Sequence, residues 1–198
     1  MWDQRYSETG FAYGTEPNDF LKSAYAHIPE GGHVLCLAEG EGRNAVFLAR
    51  QSYQVTAVDQ SAVGLDKAQA LATQNGVNIT TIVADLADFD FGTQAWDGIV
   101  SIFAHVPPVL RKIIHKKVVA SLRDDGIFML EAYTLRHIEM QGVGGPPTTA
   151  TELFMCLDDL SEELTGLTLL HAQALDRHIS EGQYHIGQSA VVQIIGRK

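Results

Sequence analysis

The chain has 198 residues, 45% of them apolar and 19% charged, enough for one domain with a full hydrophobic core. Its 24 acidic against 14 basic residues give a formal net charge of −10. That balance argues against a nucleic-acid binder and against a protein held on an anionic membrane, since both need a basic face.

Residues 17–27 read as a first helix, stopped before Pro29. After Gly31 and Gly32, residues 34–38 form a short continuous apolar run, the mark of a strand buried on both faces. A glycine loop at 39–42 leads into a helix over 44–51, and residues 55–58 make a second buried strand that ends at Asp59. Ser61 is placed to cap a helix that stops at Asn75-Gly76. Strands are expected at 80–84 and 97–103. Pro107 and Pro108 then open a helix to about 122, with Leu110, Ile113, Ile114, Val118 and Leu122 on its apolar side and its basic residues largely opposite. Asp124-Asp125-Gly126 predicts a turn into a strand at 127–132.

Residues 133–151 read as a long irregular loop with Gly142, Gly144, Gly145, Pro146 and Pro147, a length that usually signals function. A short helix near 160–164 follows. Two strand-like runs, 167–179 and 183–195, are joined by Ser180-Glu181-Gly182 and imply an antiparallel hairpin at the sheet's edge. Alternation of this kind predicts an α/β domain with a mostly parallel sheet. No apolar run is as long as a membrane span, and the N-terminus lacks a basic start followed by an apolar stretch, so a cytoplasmic protein is expected. Cys36 and Cys156 are expected as buried, reduced thiols.

Three features fall in order at strand ends. The run from Val34 to Ala45 carries G-x-G-x-x-A between strand and helix, where exposed N–H groups can meet a ligand. Asp59 follows nearly 20 residues on, placed to accept both ribose hydroxyls of an adenosine. Asp85 ends the third strand, where the adenine amino group would lie. Glu39 and Glu41 would repel a pyrophosphate and favour a cationic ligand, which points to S-adenosylmethionine rather than NAD.

The stretches Glu39-Gly40-Glu41-Gly42-Arg43-Asn44, Val58-Asp59-Gln60-Ser61, Val83-Ala84-Asp85 and Trp96-Asp97 resemble the successive motifs of class I S-adenosylmethionine-dependent methyltransferases. Tyr13-Gly14-Thr15-Glu16-Pro17, Gly144-Gly145-Pro146 and the closing hairpin with Glu181, Gly182 and His185 are similar to the bacterial branch of tellurite-resistance and thiopurine methyltransferases. The resemblance implies a Rossmann-like three-layer sandwich whose seven strands run 3-2-1-4-5-7-6, with strand seven antiparallel. It implies that Gly40 and Gly42 line the methionine moiety with Glu39 near its ammonium. Asp59 would hold the ribose, Asp85 and Leu86 would flank the adenine, and Phe103 would line the methionine end. Asn44, Gln60 and Ser61 stand in the same cofactor motifs. This chain departs from the family at Cys36, where an acidic residue is usual, and at Ala38, where a glycine is usual.

Methyl transfer needs proximity, orientation and a dry site more than a base. If an orienting group or base exists, His105, Tyr133 and His185 are the candidates, at the ends of strands four and five and on the final hairpin. No histidine pair has ligand spacing, so no metal is expected. Trp2, Tyr6, Phe11 and Tyr13 form either a lid over the site or an aromatic face packed on the sheet. The acidic chain lacks a basic insert and the Asp/Asn-Pro-Pro-aromatic motif of adenine-amino methyltransferases. The expected acceptor is a small molecule, such as a thiol or a chalcogen oxyanion like tellurite. A small NAD-binding oxidoreductase and a non-catalytic binder of an adenosyl ligand stay open as alternatives.

Overall fold

The computed structural model describes residues 2–198. A seven-stranded sheet runs β3-β2-β1-β4-β5-β7-β6. Its parallel half comprises β1 (His33–Leu37), β2 (Gln54–Asp59), β3 (Thr80–Val83), β4 (Trp96–Ile102) and β5 (Leu122–Tyr133). The closing strands are β6 (Thr168–Glu181) and β7 (His185–Arg197), and β7 is antiparallel to both β5 and β6. Order and direction are those implied by the resemblance. This is a Rossmann-like α/β fold.

The continuous apolar runs are explained by burial on two faces. Val34, Cys36, Ala57, Val100 and Met129 pack under α2 (Asp19–Ala24), α3 (Arg43–Arg50) and α4 (Ala62–Gln74). The alternate residues Leu35, Leu37, Val58, Ile99 and Leu130 pack under α5 (Pro108–Ser121) and α7 (Leu157–Glu163). A strand with helices on both sides has no polar face to alternate with. Among the described residues no helix is long and apolar enough to cross a membrane.

Local signals hold where the chain itself satisfies them. Ser61 caps α4, its hydroxyl accepting from the Gly64 N–H at 3.0 Å. The structure corrects four expectations. β5 starts at Leu122, five residues early, because Leu122 pairs with Trp96 before a register shift, and the expected turn is an irregularity inside the strand. Residues 133–151 hold α6 (Arg136–Glu139) and reach a 3-10 turn at Thr151–Leu153. On α5, Ile113 is 47% exposed while Arg111 is 3% exposed, because Glu163 of α7 pairs with the guanidinium at 2.8 Å and with His115 at 2.7 Å. These contacts hold the Glu163 carboxyl at about 2 although burial alone would raise it. Cys36 is buried as expected, whereas Cys156 is exposed, since it precedes α7 outside the core.

Ala38, where the family has glycine, sits at φ 48 just past β1. A Cβ in this left-handed region costs about 1–2 kcal/mol. Ala38→Gly should raise unfolding free energy by about 0.5–1 kcal/mol after the larger entropy of the unfolded glycine chain is subtracted, measured by denaturant titration.

Candidate active site

The C-terminal ends of β1, β2 and β4 mark the sheet edge where α/β proteins hold their ligand in a crevice. Gly40 and Gly42 bend the loop at φ 62 and 90, and a Cβ on Gly42 would stand 2.5 Å from that of Ala68. Glu39 Oε1 accepts from the N–H groups of Asn44 and Ala45 at 2.9 and 2.7 Å, so it caps the first turn of α3. Burial holds its carboxyl at about 7, against the pull of those N–H groups and of Arg43. Asp59, 5% exposed, accepts from Gly40 N–H at 2.9 Å and Ser61 N–H at 2.8 Å, one bond on each oxygen. Burial pushes its carboxyl up, and the backbone N–H groups work against that. Asp85 lies past the end of β3, exposed, with Oδ1 holding the Ala87 N–H, while Leu86 is buried. Phe103 directly follows β4 at φ 54, a conformation that concentrates at functional sites.

Glu41 does not stand free toward a ligand. Its Oε2 accepts from the Ala12 N–H at 2.7 Å and its Oε1 pairs with Lys67 at 2.9 Å. Lys67 also donates to the carbonyls of Glu8 and Gly10. The loop's carboxylates therefore have partners inside the protein, which weakens the repulsion of pyrophosphate expected from the sequence. The N-terminal segment is held across the crevice from both sides. The Tyr6 hydroxyl would meet a Cβ on Gly40 at 2.6 Å, α1 (Trp2–Tyr6) touches Ser61 through Asp3, and Gln183 on the hairpin donates its N–H to Ala12 at 2.9 Å.

His105, Tyr133 and His185 come together around Phe103. Ring centroids lie 4.6 Å apart for Phe103–Tyr133 and for Phe103–His185, and 5.5 Å for Tyr133–His185. His105 is committed at both nitrogens: Nδ1 bonds the Leu153 carbonyl at 2.9 Å and Nε2 accepts from Tyr133 N–H at 3.3 Å. Burial lowers its pKa to about 4. His185 is not on an edge strand, because β6 lies outside β7; it is 6% exposed and burial pushes its pKa down to about 2.

Sequence reasoning missed a buried polar network beside these rings. Glu131, fully buried on β5, accepts two bonds from Arg177 at 2.8 and 2.7 Å, one from Asn18 at 2.6 Å and one from Gln193 at 2.7 Å. Asn18 also donates to Glu181, which pairs with Arg43 at 2.7 Å. A glutamate in an apolar run, Met129-Leu130-Glu131-Ala132, is the only signal the sequence offered. His137, 2% exposed on α6, was missed as well. Among the described residues no group of three or more His, Cys, Asp or Glu could hold a metal.

Residues 34–126 match the model of a methyltransferase domain. No curated protein matches in a sequence search. Solved structures of similar fold include one concerned with conversion of a disulfide bond into a thioacetal group during echinomycin biosynthesis (17% identity, TM-score 0.76, 100% of this chain and 90% of that one). TehB from Haemophilus influenzae matches at 18% identity and TM-score 0.73, over 100% of this chain and 65% of its own. The third is 1,6-didemethyltoxoflavin-N1-methyltransferase from Burkholderia thailandensis, with bound 1,6-didemethyltoxoflavin and S-adenosylhomocysteine (21%, TM-score 0.64, 89% and 75%).

The raised Glu39 pKa gives a pH dependence with a definite sign. The folded chain favours the protonated form, so this stability is full below the ordinary value of 4.5 and is lost as pH rises through about 7. Denaturant titrations from about pH 4 to 8 should show that loss in the wild type and a flatter profile in Glu39→Gln. The chain therefore combines a Rossmann-like fold with a segment, residues 34–126, that is similar to methyltransferase domains.

Proposed function

We propose that the protein is an S-adenosylmethionine-dependent methyltransferase acting on a small-molecule acceptor. The observation that carries this reading is the Asp59 carboxylate. It is buried at the tip of β2 with one backbone N–H on each oxygen, which leaves an acceptor lone pair on each for the two hydroxyls of a ribose. Gly40 and Gly42 open the loop beside it, with Asn44, Gln60 and Ser61 around it. Asp85 and Leu86 would hold the adenine, and Phe103 the methionine end. Glu39 would turn from neutral to charged beside the ligand's ammonium. The bound cofactor supplies an activated methyl group.

The chain's own residues contribute position and dryness. Phe103, Tyr133 and His185 wall the space past the methionine end. We assign His105 to holding the Tyr133 backbone, since both its nitrogens are committed. Tyr133 and His185 are left to touch the acceptor. The N-terminal segment, through residue 30, acts as the lid, supported by its bonds to Glu41, Lys67 and Gln183. A thiol or a chalcogen oxyanion such as tellurite is the acceptor class suggested by the resemblance.

Calorimetric titration tests the cofactor. S-adenosylhomocysteine should bind and NAD should not; Asp59→Asn should weaken binding by about tenfold or more, roughly 1.4 kcal/mol. A dinucleotide bound in its place would point to the oxidoreductase, and tight binding without transfer to any acceptor to the non-catalytic binder. Deleting residues 1–16 should weaken the same titration markedly. A folded truncation with unchanged affinity would remove the lid.

A further inference from the structure

A set of buried polar groups around Tyr133 is short of internal partners. The Tyr133 hydroxyl and His185 Nδ1 lack hydrogen bonds, His137 reaches only the Gly144 backbone, and all three residues are at least nine-tenths buried. Arg43 Nη1 is buried without a partner as well. Leaving a buried donor or acceptor without a partner is costly. The groups converge: His137 lies 4.1 Å from the Tyr133 ring centroid, and a Cβ on Gly144 would stand 3.2 Å from the Tyr133 hydroxyl and 3.0 Å from His185 Cδ2. Gly144 and Gly145, exposed on their outer side, cover these groups with backbone that carries no side chain.

The charged groups around this cluster balance. Arg43 pairs with Glu181, and Arg177 with Glu131 and Glu181. At the rim, Arg5 bonds the Tyr13 hydroxyl while Glu8 takes the Tyr184 hydroxyl. Burial lowers the pKa of His105, His137 and His185 and raises that of Tyr133, so none of these four adds a charge at neutral pH. An anion placed here would meet no uncompensated cation, and a buried unpaired charge is far more costly than a neutral group that makes hydrogen bonds.

We propose that Tyr133, His137 and His185 form the acceptor subsite, and that it takes a small uncharged molecule, oriented by hydrogen bonds to the Tyr133 hydroxyl and the two imidazoles. This rests on the methyltransferase reading above and selects within it. The acceptor attacks with a neutral lone pair, as a ring nitrogen does. Its new bond forms to the methyl carbon, and the carbon–sulfur bond breaks with its electron pair staying on the cofactor's sulfur. The positive charge passes to the acceptor, which releases its own proton to water. No base on the protein is needed.

The test uses the full chain saturated with S-adenosylhomocysteine and probes matched in shape but not in charge, titrated at about pH 8, where imidazole is mostly uncharged. Imidazole is set against imidazole-4-carboxylate, pyridine against nicotinate, and selenite and tellurite make an oxyanion arm. The uncharged member should bind about tenfold or more tightly in each pair. Tyr133→Phe and His137→Phe should each abolish most of that binding while S-adenosylhomocysteine affinity stays unchanged. Tyr133→Phe removes a hydroxyl with no partner, so its melting temperature should hold or rise, which separates loss of a ligand contact from loss of fold. Anion binding equal to or tighter than that of the uncharged partner, binding of the oxyanions, no binding by any probe, or unaltered binding in both variants would overturn the proposal. Failure of S-adenosylhomocysteine to bind at the outset would instead overturn the parent reading.

Discussion

The Glu131 carboxylate ties the N-terminal segment to the closing strands of the sheet. It is fully buried on β5, yet takes hydrogen bonds from the N-terminal segment through Asn18, from β6 through Arg177 and from β7 through Gln193. Asn18 continues the link to α3, its backbone N–H donating to Asn44 at 2.9 Å, and Arg43 closes the circuit on Glu181. Removing one member of such a buried network typically costs about 3–5 kcal/mol, because the remaining charge is stranded away from water. The network thereby fixes the glycine-loop helix, the N-terminal strap and the hairpin relative to one another. Those three elements surround the crevice.

Two kinds of carboxylate stand near that crevice, and their partners separate their roles. Glu41 and Glu131 are satisfied by cations and amides, and they hold the scaffold. Asp59 is held by backbone N–H groups alone and keeps acceptor capacity on both oxygens. Charge counts along a motif cannot make this distinction, since Glu39, Glu41 and Asp59 look alike as residues. What distinguishes them is which N–H or ammonium reaches each oxygen first.

The aromatic cluster at the ends of β4 and β5 follows a related logic. His105 is fully used by the backbone, whereas Tyr133, His137 and His185 retain unmade bonds. A stable core does not leave that many polar atoms unpaired without a compensating use. The glycines of the 142–145 segment permit the close approach of roof to floor: a Cβ on Gly142 would overlap the His137 ring. This explains why a glycine-rich stretch follows α6 and folds back over the end of β5.

The sequence by itself determined the layer architecture and most element boundaries. Those signals are local: apolar runs such as 34–38 report burial on two faces, Ser61 caps through a hydroxyl three residues from its donor, and Gly40 and Gly42 stand where backbone must turn. The strand order came from the motif resemblance, not from periodicity. Tertiary structure alone decided the partners of buried charges, because Glu131–Asn18 and Glu163–Arg111 join residues 113 and 52 positions apart. It also decided the exposure of Cys156 and Ile113, the early start of β5 opposite Trp96, and the packing of His137 on Tyr133. Pairing across such separations depends on which elements pack together, and nothing in the neighbouring residues records it.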